Sequence, residues 1–293
     1  MSDPLLVFTT DLGLSDAYAG VLKGVAAIIN PSLRFVDLTH QIQPQNVSQG
    51  SFLLGANYRF FPSDAIHVAV VDPGVGTSRR PVLLSTPWGR FVAPDNGLLS
   101  GIIKEYIDAP PLTAGMVKPP PEITVVQLTN PEYWRHPVSD TFHGRDIFTP
   151  VAAHLSLGVL PKDMGEAIDN LFYLPSPQPK YQEGRITGQI IYQDVYGNLV
   201  SNIPAEALPR GTPVQVSIKG QRINGLSRTF NDPDRTGNDP ARSGNDPDES
   251  SASGLIALAG SHGYLEVASP NTSAARILDA GEGEAIEVRT LSI

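Results

Sequence analysis

The sequence predicts an α/β N-terminal domain with a mostly parallel, Rossmann-like sheet, joined to a small C-terminal all-β barrel. Three observations carry that prediction. Apolar runs without polar alternation, as in strands covered on both faces, alternate with helical periodicity over the first half. A proline-rich stretch, Leu174–Lys180, then interrupts the chain. Beyond it the helical period disappears, and only short β-like runs separated by turn residues remain.

The elements follow in order. Leu5–Thr9 reads as a buried strand ending in Thr10, Asp11 and Gly13. Tyr18, Val21, Leu22, Val25, Ile28 and Ile29 recur at helical spacing behind a cap expected at Ser15 or Asp16, and Asn30-Pro31 stops that helix. Leu33–Leu38 is a second strand, Val47–Tyr58 a second helix, and Ile66–Val71 a third strand ending at Asp72-Pro73-Gly74. Val82–Ser85 and Phe91–Ala93 read as strands, Leu98–Tyr106 as a helix and Pro110–Pro121 as a loop. A strand over Thr124–Leu128 and a helix over Ile147–Leu157 complete the first unit.

The expected domains are therefore 1–175, a linker over 176–182, and a barrel over 183–293. The barrel strands are expected at Ile186–Tyr192, Leu199–Ile203, Val214–Ile218, Leu255–Ala259, Tyr264–Val267 and Ile286–Val288. Within the barrel, Asn231-Asp-Pro233, Asn238-Asp-Pro240 and Asn245-Asp-Pro247 repeat at seven-residue spacing. No apolar position recurs with them, so 228–254 is expected to be a disordered insertion, neither a coiled coil nor a Ca²⁺ loop.

Composition excludes several functions. With 21 Lys+Arg against 30 Asp+Glu, a formal charge of −9, the chain lacks the positive field that coats nucleic acid. The absence of Cys removes disulfides, thiolate metal sites and Cys nucleophiles. Among 293 residues, 27 are Gly and 27 Pro, above the usual combined share of about 12%, so the protein is rich in turns. No basic N-terminal segment and no apolar run of about 18 residues is present, so a soluble cytoplasmic protein without a membrane partner is expected.

In open α/β sheets ligands bind beyond the carboxyl ends of the strands. Asp11, Thr39-His40 and Asp72 follow the first three strands. Any one of them is an ordinary turn residue or cap, whereas three on one sheet edge point to a site. The stretch from Asp72 to Arg80 is the sharpest: Gly74 and Gly76 let the backbone approach a ligand, and Arg79 or Arg80 can swing back to Asp72. It is no phosphate loop, because it lacks the Gly-Lys-Ser/Thr ending. Pro94–Gly97 alone reads as a turn, and Phe142–Asp146 offers an imidazole beside a guanidinium. His136, His143 and His154 have no metal-ligand spacing, and no metal is expected. Asp194–Asn198 and Ser261–Glu266 read as hairpins.

Taken together, Thr10–Gly13, Val71–Thr77 with Arg79, Pro94–Leu98, Thr141–Arg145, Tyr196–Asn198 and Gly263–Glu266 resemble the S-adenosyl-L-methionine (SAM) hydrolases that form adenosine. These are the SAM hydroxide adenosyltransferases, relatives of the fluorinases and chlorinases. The resemblance runs in order from about Val7 to the C-terminus. It implies hydrolysis of SAM to adenosine and L-methionine, SAM being substrate, with no further cofactor. It also implies a homotrimer whose sites lie between the first domain of one subunit and the barrel of the next.

By that resemblance Asp72, Arg79 and His143 hold the attacking water or hydroxide, Asp11 binds the ribose hydroxyls, and Asn198 binds the adenosine side. Asp16, Asp194, Ser261 and Glu266 are placed around the methionine or adenine. His262 stands where the halogenating relatives carry an Arg. Two alternatives accompany this expectation: halide-dependent adenosyl transfer, which an acidic Asp72 disfavours, and a non-catalytic SAM- or adenosine-binding regulator. A phosphate-ester hydrolase with Asp11 as nucleophile has less support, since no metal constellation accompanies it.

Overall fold

A computed structural model describes residues 3–209, 211–231 and 254–291. The chain divides into two compact units, Met1–Pro175 and Ser176–Ile293.

In chain order the first unit contains β1 (Leu5–Thr10), α1 (Tyr18–Ile29), β2 (Arg34–Thr39), α2 (Val47–Asn57), β3 (Ile66–Val70), β4 (Pro81–Thr86), β5 (Gly89–Pro94), α3 (Ser100–Ile103), β6 (Gly115–Val117), β7 (Thr124–Leu128), α4 (Thr149–Ser156), β8 (Gly165–Ile168) and β9 (Leu171–Tyr173). The main sheet has the order β2-β1-β3-β5-β4-β7-β8. Strand period two sorts its side chains. Leu6, Phe8, Val68 and Val70 face α1 and α4 through Leu22, Ala26, Val151 and Leu155. Ala69, Val71, Leu84 and Phe91 face the other way, toward Leu54, Tyr58, Ile102 and Ile103.

The expectation of a mostly parallel sheet needs correction. β1 pairs in parallel with β2 and β3, and β3 with β5. The β5–β4, β4–β7 and β7–β8 pairs are antiparallel. The cause is a hairpin. β4 and β5 are joined only through Pro87 and Trp88, with Thr86 paired to Gly89, and so short a link forces the strands to run in opposite directions. Thr86 Oγ1 donates to Gly89 O at 3.2 Å, and Trp88 N donates to Thr86 Oγ1 at 3.1 Å.

Other boundaries differ in informative ways. The N-cap of α1 is Ala17, with no side-chain hydrogen bond, so neither Ser15 nor Asp16 caps it. The helix expected from Ile147 begins earlier, as a π-helical turn over Gly144–Phe148 that leads into α4. The helix expected over Leu98–Tyr106 is α3 followed by a short 3₁₀ turn, Lys104–Tyr106. The proline-rich loop Pro110–Pro121 contains β6, which pairs with β9.

The second unit contains β10 (Lys180–Gln182), β11 (Arg185–Gln193), β12 (Leu199–Pro204), β13 (Val214–Ile218), β14 (Gln221–Asn224), β15 (Ile256–Ala259), β16 (Tyr264–Ala268), α5 (Ala274–Leu278) and β17 (Ala285–Thr290). β10 occupies the end of the stretch read as linker and pairs antiparallel with β11. The sheet runs β14-β13-β17-β11-β12-β16-β15. Just past β14, Ser227 bridges to Leu258 of β15, and Ser227 N donates to Ala257 O at 2.7 Å. The two edges of the sheet thus nearly meet in a barrel around Ile190, Leu199, Val216, Val267 and Val288. The Asn-Asp-Pro repeat lies outside the described residues from Asp232 to Ser253. No helix among the described residues is long and apolar enough to cross a membrane.

Candidate active site

β1 lies between β2 and β3, so the chain leaves it toward one side and later returns on the other. That reversal opens a crevice at the carboxyl ends of β1 and β3, the usual ligand position in such sheets. A cavity of about 270 Å³ lies there, lined by residues that include Asp11, Leu12, Gln45, Asp72, Phe142 and His143.

Asp72 follows β3 by two residues and opens a tight turn, in which Val75 N donates to Asp72 O at 3.2 Å and Thr77 N to Gly74 O at 3.2 Å. Gly76 has φ +76°, and a Cβ there would stand 2.5 Å from Asp140 O, so the turn requires glycine. This turn brings Arg79 back over Asp72. Arg79 Nε donates to both Asp72 carboxylate oxygens, at 2.9 and 3.0 Å, and Nη2 completes the fork on Oδ2. The two side chains are 9% and 6% exposed, so the pair is largely shielded from water.

The same Nη2 donates to His143 Nδ1 at 2.7 Å. A guanidinium has no acceptor, so Nδ1 accepts and the neutral imidazole carries its proton on Nε2. Burial, reinforced by the Arg79 charge, lowers the His143 pKa below 6.5. The π-helical turn that begins at Gly144 is anchored by Asp146, which is fully buried. Arg145 donates to its two oxygens at 2.7 and 2.8 Å, and Ser139 N to Oδ2 at 2.9 Å. Burial pushes the Asp146 pKa up, yet these hydrogen bonds outweigh it and the net shift is downward. Arg145 is therefore spent on structure.

Asp11 Oδ2 accepts from Gln45 N at 2.8 Å. His40, by contrast, is buried and its Nδ1 shares a 2.7 Å hydrogen bond with Thr10 Oγ1; it ties two loops together without lining the cavity. Arg80 pairs with Asp95, whose other oxygen accepts from Phe172 N at 2.7 Å, so Arg79 alone turns to Asp72. Asn96 Nδ2 donates to Val71 O at 2.9 Å and braces the end of β3. Asp16 is exposed and is not part of the cavity lining. Gln45 gave no signal in the sequence, because an ordinary Gln acquires its place only through the fold.

In the second unit, the β11–β12 turn is built by its own polar groups. Asp194 accepts from Tyr196 N at 2.9 Å, Asn198 N at 2.8 Å and Asn198 Nδ2 at 2.8 Å. Gly197, at φ +82°, packs against Ser273. Glu266 on β16 is buried, and that burial, with the nearby Asp194 charge, raises its pKa. Ser261 is exposed in the β15–β16 turn, and the His262 ring meets Tyr192 edge-on at 6.2 Å. Among the described residues no group of three or more His, Asp or Glu side chains is gathered as a metal ion needs.

This arrangement can fix an oxygen nucleophile beside a paired cation, with a separate carboxylate to orient a ligand. Residues 6–165 match the SAM hydroxide adenosyltransferase N-terminal domain, and residues 188–287 the corresponding C-terminal domain. A relative named (R)-S-adenosyl-L-methionine hydrolase, from Salinispora arenicola, is 34% identical over 292 residues, 98% of each chain. A fluorinase from Actinoplanes sp. is 26% identical over 230 residues, 69% of this chain and 72% of its own. A crystal structure of an uncharacterized conserved protein from Thermotoga maritima superposes with a TM-score of 0.79 at 30% identity, covering 97% of this chain and 99% of that one. With both domains matched in order along the sequence, the chain belongs to the SAM hydroxide adenosyltransferase family.

Proposed function

We infer that the protein hydrolyses SAM to adenosine and L-methionine by attack of hydroxide at the ribose C5′. The observation that carries this reading is the Arg79 guanidinium, which donates at once to the Asp72 carboxylate and to His143 Nδ1 beside the cavity. The relative from Salinispora arenicola bears the name of that activity.

The chemistry asks little of the leaving group. Sulfur departs from C5′ with the bonding pair and becomes a neutral thioether, so no acid is needed. The nucleophile is the demanding part, because water ionises with a pKa of about 15.7. A guanidinium next to the oxygen favours hydroxide over water, the lost proton passing to solvent. His143 Nε2–H donates to that oxygen and aims it, and Asp72 keeps the guanidinium in place. Hydroxide and the sulfonium substrate then balance to adenosine and methionine with no other reactant.

Asp11 holds the ribose 2′ and 3′ hydroxyls, which sets C5′ in line with the oxygen. Asn198 takes the adenosine side, and Asp16, Asp194, Ser261 and Glu266 surround the methionine or adenine. In a homotrimer the barrel of a neighbouring subunit supplies the last groups. The protein acts in the cytoplasm and needs no metal or cofactor. Halide-dependent adenosyl transfer is the second reading, supported by the fluorinase relative. Asp72 works against it, since a carboxylate beside the nucleophile can accept a hydrogen bond from water or hydroxide and none from a halide ion.

Incubation of the purified protein with SAM, with and without chloride and chelator, followed by chromatography, tests both. Adenosine and methionine in equal amounts are expected under every condition. A folded, SAM-binding protein that yields no adenosine above the uncatalysed rate would overturn hydrolysis, and 5′-chloro-5′-deoxyadenosine would establish the second reading.

A further inference from the structure

The turn between β2 and α2 holds a residue that these roles leave unused. Gln45 has φ +66°, a left-handed conformation that residues with a side chain seldom adopt. Its neighbours enforce it. Gln43 N donates to Gln49 Oε1 at 2.6 Å, Asn46 N to Gln43 O at 2.9 Å, and Gln49 N to Asn46 Oδ1 at 2.9 Å. In this conformation the Gln45 main-chain N–H faces the β1–α1 turn and donates to Asp11 Oδ2 at 2.8 Å. Two more bonds tie the same loops, Gly13 N to His40 O at 2.7 Å and Ile42 N to Thr10 O at 3.4 Å. Asp11 and Gln45 both line the cavity.

A carboxylate rotates about its last torsion in a broad, shallow well. A vicinal diol needs that plane held still, because both hydroxyls must find acceptors together. Among the described residues the Gln45 N–H is the one hydrogen bond on Asp11. It fixes the plane while leaving Oδ1 without a protein partner. We propose that Gln45 is a positioning residue for the nucleoside: its main-chain N–H orients Asp11 so that the site distinguishes a ribose diol from a deoxyribose. This rests on the reading of Asp11 as the ribose ligand.

Calorimetric binding of adenosine and 2′-deoxyadenosine to the full-length protein tests it. Gln45→Gly keeps the N–H and tolerates φ +66°, so it retains the wild-type preference for adenosine. Gln45→Pro lacks the N–H and is locked near φ −65°, so the preference falls about tenfold or more, as expected for one lost hydrogen bond to a charged group. Thermal melting checks that the variant folds. If Gln45→Pro does not fold, Gln49→Ala is measured instead; it removes the bond that clamps Gln43, and the preference narrows several-fold. An unchanged preference in folded Gln45→Pro, or in Gln49→Ala where that variant is used, overturns the proposal. A wild-type protein with no preference overturns both the ribose role of Asp11 and this inference, whereas SAM turnover by the same sample reports separately on hydrolysis.

Discussion

Arg79 Nη2 and His143 Nδ1 lie 2.7 Å apart, although 64 residues separate them in the chain. The bond sets the histidine tautomer, because a guanidinium can only donate and the Nδ1 it meets must therefore be the unprotonated, accepting nitrogen. It also couples the β3–β4 turn to the start of the π-helical turn, so that one cation organises two loops.

Replacing Arg79 tests that organisation. Arg79→Ala is expected to lower kcat about 10²- to 10³-fold, the scale of losing one preorganised donor. Adenosine affinity is expected to stay within about threefold. Arg79→Lys restores the charge and not the fork, so it recovers only part of the loss. Steady-state kinetics beside nucleoside calorimetry separates the two effects.

His143 is expected to contribute a limb on the acid side of the pH profile. With its pKa lowered below 6.5, the neutral ring persists at more acidic pH than a free imidazole would. The decline of kcat/KM with falling pH that ionisation of the bound water imposes is therefore expected to steepen only below pH 6.5, as protonation of Nδ1 breaks the bond from Arg79. In His143→Gln the residual activity loses this limb. A limb in the variant identical to that of the wild type would assign it to another group.

Gly76→Ala probes the turn that aims Arg79. The added methyl meets the Asp140 carbonyl oxygen at 2.5 Å and sits on a backbone at φ +76°. A loss of about 1–3 kcal/mol in stability is expected, with kcat reduced further as Arg79 shifts from Asp72. Urea melts and turnover measured on the same preparation check both.

His67 sets a separate, structural pH dependence. It is fully buried, stacked on Phe91 at 4.7 Å, with neither ring nitrogen hydrogen-bonded. Burial lowers its pKa to about 4 from 6.5. The unfolded chain takes up a proton as pH falls through 6.5, and the folded one does not until about 4. Stability is thus lost across that window, about 3 kcal/mol in all at roughly 1.4 kcal/mol per unit. Denaturant midpoints at pH 7 and pH 5 should differ in the wild type and differ less in His67→Phe, the remainder coming from His143 and His154, whose pKa values are also lowered.

Local pattern made most of the secondary structure legible. β7 and β13 follow the expected runs residue for residue, because each apolar run is bounded by turn residues. β6, β8, β9, β10 and β14 gave no usable signal, being three or four residues long and held by pairing partners. The direction of β4 was missed because it depends on a two-residue link, which periodicity does not register. At the site, Asp11, Asp72, Arg79 and His143 were legible through their motifs. Without the resemblance, which named Arg79, the residues alone left Arg79 and Arg80 open, since both can reach back; in the fold Arg79 pairs with Asp72 and Arg80 with Asp95.

The sequence by itself determined the order of elements, the division into an α/β part and a β part, the acidic and Cys-free character, and the family. Those depend on composition, on period and on ordered motifs, all local properties of the chain. Tertiary structure decided the mixed strand directions, the near closure of the barrel, the bond from Arg79 to His143, and the hold of Gln45 on Asp11. Each of these is a contact between segments far apart in sequence, whose energy depends on distances that only the packed fold sets.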